Sequence, residues 1–377
     1  MLADVLRRLA PRWLATSRCV CRAWRATVDS RGLLSAAAGL LPHSLAGIFL
    51  HHSNTWLTSF LARPSAGTAV SADLHYTFSG GDDDDKLYDS FQGSPTTCKN
   101  LDPALEELEW PPSPCVLHVF SSRTGRWEER SFARQGLAAG TVADMRVDRY
   151  DGHRYAVYWR GALYVQCQTD FIMRFSLSSG KYQVIQPPVA FQPYDGFNES
   201  FAARLSIGKS DKGVYSVLVE HSQIKVWILN DSDGQIKWVP KQMVGRLPKL
   251  QDGSFYYLES HGPWVLQDIN CDDTSVQAAT EQFEWDSDDD NLLPDNGNST
   301  GYKRFITFLG FHPYKEVIFL NDSFVRVLAY HLNSSKIQDL GYVYEKAEVH
   351  YLGNELVSVE RSFPYTPCWM TDFPQND

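Results

Sequence analysis

From about residue 43 onward the chain is a succession of short apolar or alternating runs broken by turn residues. "CVLHVF", "RYAVYW", "ALYVQC", "FIMRFSL", "GVYSVLV", "IKVWIL", "SFYYLES", "FITFLGF", "EVIFLN", "VRVLAYHL" and "ELVSVE" are rich in Val, Ile, Tyr, Phe and Trp. Such side chains suit the pleated, half-buried surface of a sheet, and the runs are bounded by Gly, Ser, Asn and Asp. The pattern predicts a large all-β domain of many short strands.

Some of these runs share a local shape of strand, polar turn and second strand: "HVFSSRTGRWEERSF", "FSLSSGKYQVIQPP", "WILNDSDGQIKWVP" and "AYHLNSSKIQDLGYV". Their turn positions Gly125, Gly180, Gly234 and Ser335 are spaced by 55, 54 and 101 residues. The last gap is close to twice the others, so one degenerate unit is expected inside it. A period of about 50 residues fits the four-stranded blade of a β-propeller. Roughly 335 residues at that period predict six or seven blades. A β-sandwich or an irregular β-domain would also contain hairpins, and these are the alternative architectures.

The N-terminus is of another kind. Residues 2 to about 38 read as helix, because Leu2, Val5, Leu6 and Leu9 recur at helical spacing. Pro11 ends or kinks that helix. In "RWLATSRCVCRAWRATVDS" the positions Leu14, Cys21, Trp24 and Val28 fall roughly on one face, with Val20 and Cys19 beside it. The expected organisation is therefore a short helical unit, 1–40, before a β-rich unit, 41–377.

Between Gly32 and Ala62 no residue is charged at neutral pH, and "GLLSAAAGLLPHSLAGIFL" imitates a membrane span. A spanning helix needs about 20 predominantly apolar residues. Here Pro42, His43 and Ser44 interrupt the run and His51, His52, Ser53 and Asn54 follow it. A helix end, a turn at Pro42–His43 and a buried strand in "LAGIFL" are expected, and no membrane span.

The 377 residues carry 35 basic and 45 acidic side chains, a formal charge of −10. Phosphate backbones are bound by concentrated Lys and Arg, so this balance argues against a general nucleic-acid binder. The seven cysteines, Cys19, Cys21, Cys98, Cys115, Cys167, Cys271 and Cys368, are odd in number and mostly scattered. That usage fits a reducing compartment, cytoplasmic or nuclear, better than a disulfide framework. No secretory signal is read at the N-terminus. The sequons at Asn198, Asn230, Asn298, Asn321 and Asn333 are accordingly read as turn residues.

Motifs for nucleophilic, metal-dependent or nucleotide chemistry are missing: no G-x-S-x-G, H-E-x-x-H, G-x-x-x-x-G-K-[ST] or G-x-G-x-x-G occurs. The adjacent His51 and His52 suit a strand end as well as a ligand pair. His118, Asp170, His221 and His312 are scattered, and only convergence in space would make a site of them. The acidic runs "GGDDDDK" (80–86) and "DSDDDN" (286–291) lack the spacing, Gly and Glu of an EF-hand loop and read as solvated loops. No cofactor or metal is implied.

"RCVCRAW" (18–24) is the densest local signal. Structural zinc needs four ligands, and the next cysteine is Cys98. A redox pair needs two intervening residues, whereas Cys19 and Cys21 have one. Packing remains, since free cysteine behaves as a small buried hydrophobe.

With these residues in view, "LADVLRRLAPRWLATSRCVCRAWRATVDSRGLL" resembles the F-box of plant F-box proteins, and "LLPHSLAGIFL" resembles the grass branch of that family. The family pattern L-x-x-[ILV]-L-x-x-L-P is matched by Leu2, Val5, Leu6, Leu9 and Pro11, the last shifted by one. Leu14 takes the hydrophobic position, and Arg18, Val20, Cys21, Arg22 and Trp24 match R-x-V-C-[KR]-x-W. The L-P-x-[DE] segment of the pattern has no match ahead of Leu2, so the motif reads as N-terminally truncated, with weaker docking expected. The resemblance implies a non-catalytic substrate receptor of an SCF-type cullin–RING ubiquitin ligase. Leu2, Val5, Leu6, Leu9, Pro11, Leu14, Val20, Cys21 and Trp24 would dock on a Skp adaptor, and through it on cullin and RING subunits. The β-rich unit would capture an unidentified protein. The alternative is an interaction module or competitor that joins no ligase.

Overall fold

A computed structural model describes residues 2–6, 17, 20–30, 45–52, 58–63, 103–121, 125–148, 155–191, 204–220, 223–232, 235–244, 262–268, 306–322, 326–343 and 359–366. The chain is mostly β, with short helices among the described residues. Of these α1 (Leu2–Leu6) and α2 (Arg22–Ser30) lie at the N-terminus, and they pack on each other. Two single-turn helices, α3 (Pro103–Glu106) and α4 (Val142–Met145), lie within the β-rich part.

The strands make four sheets of four or more strands. In the first, β1 (Gly47–His52) and β2 (Thr58–Ala62) form a hairpin, as the apolar "LAGIFL" predicts, with β1 buried along its length. The next ten strands are β3 (Glu109–Trp110), β4 (Cys115–Ser121), β5 (Arg126–Arg134), β6 (Gly140–Thr141), β7 (Ala156–Trp159), β8 (Ala162–Gln166), β9 (Ile172–Ser176), β10 (Lys181–Ile185), β11 (Arg204–Ser210) and β12 (Gly213–Glu220). They are followed by β13 (Gln223–Ser232), β14 (Gln235–Val244), β15 (Val265–Asp268), β16 (Ile306–Phe311), β17 (Val317–Asp322), β18 (Arg326–His331), β19 (Ile337–Tyr342) and β20 (Val359–Tyr365).

The second, third and fourth sheets are each built from consecutive antiparallel strands: β7 to β10, β11 to β14 and β16 to β19. The first has the order β15-β2-β1-β20, so strands from both ends of the described chain lie side by side in it. The edge strands β7, β11, β16 and β20 pack against one another in that order. The sheets therefore splay outward from a shared row of edge strands, as propeller blades do. The second sheet is extended by the β4–β5 hairpin, through a short parallel pairing of β5 with β10 at Ala133–Lys181 and Arg134–Tyr182.

An apolar core fills each junction. Val157, Tyr164, Ile207 and Val214 join the second sheet to the third. Tyr215, Val217, Ile318 and Leu320 join the third to the fourth. Ile48, Leu50, Phe319 and Val327 join the fourth to the first. Strand β17 explains its own composition: Val317 and Phe319 enter one core while Ile318 and Leu320 enter the other. A strand covered on both faces reads as a continuous apolar run.

Polar links cross the same junctions. Gln166 Nε2 donates to the Leu205 carbonyl at 2.8 Å, and Ser362 Oγ donates to the Leu309 carbonyl at 2.7 Å. Ser210 Oγ donates to the carbonyls of His312 and Lys315 at 2.9 and 2.6 Å. Ahead of β15, Trp264 N–H donates to the Leu340 carbonyl at 2.9 Å, and Gly262 meets Gly341 so closely that a Cβ would lie 2.3 Å from its Cα.

The turn positions read from the sequence lie where hairpins need them. Gly125, Gly180 and Ser335 have φ of 63°, 62° and 59° and connect β4–β5, β9–β10 and β18–β19. Gly234 lies outside the described residues, between β13 and β14. Gly125 and Gly180 belong to hairpins of the same second sheet, so their 55-residue spacing does not run from one sheet to the next, and the third and fourth sheets, which follow one another, are separated by the 101-residue gap. The described residues form four such sheets; the expected degenerate unit between Gly234 and Ser335 falls largely on 245–261 and 269–305, outside them, as does "SFYYLES". Two sequons depart from their expected role. Asn321 is buried in β17 and Asn230 lies in β13, whereas Asn333 is in the β18–β19 turn. Asn198 and Asn298 are outside the described residues.

Candidate functional site

Leu6 and Val28, both fully buried, hold α1 and α2 together. Leu2 and Trp24 are half-buried, and Val5, Val20 and Cys21 are exposed. Leu9, Pro11 and Leu14 lie outside the described residues. The packing expected for Cys21 is not found. Arg25 N–H donates to the Cys21 carbonyl at 3.0 Å, so Cys21 is the residue that precedes the helix and starts its hydrogen-bond ladder. Helical period assigned it to the face of Val28, but the helix begins one residue later. Val20 and Cys21 thus present an apolar step at the head of α2.

A second exposed apolar surface was not read from the sequence. Strand β4 is the outermost of its sheet among the described residues, and its hairpin with β5 pairs Phe120 with Trp127 and His118 with Glu129. Phe120 and Trp127 are 50% and 69% exposed, with ring centroids 5.4 Å apart. Val116 lies on the same side of the ribbon and is also exposed. The base of the hairpin is fixed. Phe132 packs edge-on against Phe175 at 5.2 Å, and Tyr182 donates its hydroxyl to the Pro112 carbonyl at 2.7 Å. Cys115, buried at this base, has its thiol pushed up to about 11 by burial, which makes it a packing group rather than a nucleophile.

Among the described residues His118, Asp170 and His312 do not come together. His51 Nδ1 meets Thr58 Oγ1 at 3.1 Å and His52 Nε2 meets Ser59 Oγ at 3.0 Å, tying the β1–β2 hairpin. His118 is exposed on β4, and Asp170 accepts from Gln166 Nε2 at 2.9 Å in the turn after β8. His312 is buried at the junction of the third and fourth sheets, where its Nδ1 accepts from the backbone N–H of Tyr314 and Lys315 at 3.1 and 3.2 Å. Burial, with Lys315 next, lowers its pKa to about 3, so the ring is a neutral acceptor. His221 and the acidic runs 82–85 and 286–290 lie outside the described residues. No cluster of three or more metal-ligating side chains occurs among the described residues, and no helix among them is long and apolar enough to cross a membrane.

No family model matches the chain, and no curated protein matches it.

Proposed function

We propose that the chain is a non-catalytic protein receptor of the SCF type, in which the N-terminal helices dock on a Skp adaptor and the β-rich body captures a target. In this reading the body is a propeller of six or seven blades. The observation that carries the proposal is the exposure of Val20 and Cys21 beside the half-buried Trp24. These are the residues of the most specific part of the F-box resemblance, and two helices this short cannot bury their own apolar surface. A receptor of this kind works by holding its target at high effective concentration near the ubiquitin-carrying enzyme, and it needs no catalytic group of its own.

The test is co-purification of the full chain with a Skp adaptor, which is expected to give a detectable complex, weaker than an untruncated motif would give. Failure to associate overturns the ligase reading. It would leave a second reading, an adaptor-free interaction module, which the exposed Phe120–Trp127 pair favours because it stands on the β-rich part.

A further inference from the structure

Two hairpin turns stand side by side at one end of the second sheet. The first joins β7 to β8 through Arg160 and Gly161, whose φ values are 45° and 81°. The second joins β9 to β10 through residues 177–180, and the Gly180 N–H closes it by donating to the Ser176 carbonyl at 3.2 Å. Ser178 and Ser179 are exposed at the apex of this second turn. Arg160, Arg174, Ser176, Ser178, Ser179 and Lys181 line a cleft of about 280 Å³, and among the described residues no Asp or Glu does.

The strand register gathers the cations around one hydroxyl. Ser176 lies opposite Ala162 on one side and Lys181 on the other, and it shares a face of the sheet with Arg174, two residues earlier. Ser178 Oγ is 3.4 Å from Ser176 Oγ, so it stands over that face. Arg174 is held there: its Nε donates to Tyr164 Oη at 3.2 Å, Nη1 to Gln183 Oε1 at 3.1 Å and Nη2 to Asp231 Oδ2 at 3.0 Å. A guanidinium has five N–H donors, so these bonds fix the fork and leave donors over. The Arg160 guanidinium lies over the Trp159 ring at 5.4 Å, which steadies its side chain. Asp231 offsets part of the charge of Arg174, whereas Arg160 and Lys181 have no carboxylate partner among the described residues.

We propose that Ser178 is a phosphorylation site whose phosphoryl group is held by Arg160, Arg174 and Lys181 and pins the two turns together. The reaction is transfer of the γ-phosphoryl group of ATP by a serine protein kinase. Ser178 Oγ attacks the γ-phosphorus, the new O–P bond forms as the bond to the β-phosphate oxygen breaks, ADP leaves, and the hydroxyl proton passes to the carboxylate base of the kinase. Arg174 four residues before Ser178 and Lys181 three residues after it suit a kinase with an acidic peptide groove. The exposed apex can enter such a groove once the Gly180–Ser176 bond opens. The attached group brings about −1.5 to −2 charges at pH 7 and three strong acceptor oxygens. Beside cations already in place these make charge-assisted hydrogen bonds. Unmodified, the cleft holds like charges facing one another; phosphorylated, it is neutral and bridged. This reading of Ser178 stands independently of adaptor docking and of target capture.

Two measurements on the full chain test it. Incubation with Mg-ATP and a panel of serine kinases that favour basic sequences is expected to place phosphate on Ser178, located by mass spectrometry. Absence of phosphate at Ser178 overturns the assignment. Ser178→phosphoserine, introduced by stop-codon suppression, is then followed by phosphorus NMR against pH. A phosphoserine lying free in solvent has its second pKa near about 6. Held by the three cations it should titrate about one unit lower, and Arg160→Asn with Lys181→Ala should restore most of that shift. Asn tolerates the left-handed turn at position 160. Lys225→Ala removes a charge outside the cleft and should change nothing, and melting curves establish that each variant is folded. A titration equal to that of a short phosphoserine peptide overturns the proposal, as does a shift that persists in the double variant.

Discussion

Tyr215 donates its hydroxyl to Glu316 at 2.9 Å, across the junction between the third and fourth sheets. The same carboxylate receives Lys212 Nζ at 2.5 Å and Lys241 Nζ at 3.0 Å, and its side chain is only 4% exposed. Burial alone would raise its pKa, but the hydrogen bonds from Lys212, Lys241 and Tyr215 bring it down to about 2. Its contribution to stability is therefore complete above about pH 4.5 and is lost as pH falls toward 2. Glu316→Ala is expected to lower unfolding free energy by ~2–3 kcal/mol, because it strands a buried hydroxyl and two cations. Urea midpoints measure this, and a change under about 0.5 kcal/mol would show that the carboxylate does not clasp the two sheets.

Mild acid should loosen the protein well before that. Burial lowers the pKa of His312 to about 3 and that of His52 to about 4, His51 adding to the latter. Both folded values lie below the ordinary 6.5. The unfolded chain therefore takes up protons first, and stability present above about pH 6.5 drains away as pH falls toward the folded values. At pH 5 each ring accounts for a loss of ~2 kcal/mol. In His312→Asn the amide oxygen can accept from Tyr314 and Lys315, and the melting temperature should fall less between pH 7 and pH 5. Parallel wild-type and variant profiles would contradict this.

Gly262→Ala tests the approach of the β15 segment to the fourth sheet. The new methyl group would meet the Gly341 backbone, which cannot swing aside as a side chain can. A loss of ~1–3 kcal/mol in unfolding free energy is expected, and an unchanged denaturation curve would mean that the contact is not tight.

Trp127→Ser together with Phe120→Ser should leave stability within about 0.5 kcal/mol, since both rings are largely in solvent. Capture of a protein partner through the hairpin should drop sharply, because exposed aromatic pairs supply interface anchors. Equal recovery of binding proteins by wild type and variant, quantified by mass spectrometry, would remove this surface from consideration.

On the N-terminal helices, Trp24→Ala is expected to weaken adaptor binding by ~2 kcal/mol, more than Arg25→Ala does. Val20→Asp places a charge on the exposed step and should abolish capture with no change in melting temperature. Equal, negligible losses for all three in a quantitative pull-down would show that the adaptor binds elsewhere.

Strand identity was legible wherever burial is strong. "EVIFLN" and "GVYSVLV" announce β17 and β12 because cores cover them, and positive-φ turns leave Gly or Ser at Gly125, Gly180 and Ser335. Strand β5 is marked only by the Gly125 turn ahead of it. Its "RWEERSFAR" is exposed along most of its length, so nothing selects for alternation. Pairings made across long stretches of chain, β15 with β2 and β1 with β20, leave no periodic signature either. Arg160 and Lys181 come to line one cleft only because two hairpins pair, which no local pattern records. At the N-terminus helical spacing placed Trp24 and Val28 well, but Cys21 fell one residue outside the helix it was counted in.

Strand β20 is contributed by residues 359–365, yet it lies between β1, formed by residues 47–52, and the neighbouring β16. During synthesis β1 must wait for nearly the whole chain to leave the ribosome before its partner arrives. A product cut short upstream of residue 359 leaves the edge of β1 without its strand partner, an unpaired edge of the kind that adds strands from other chains.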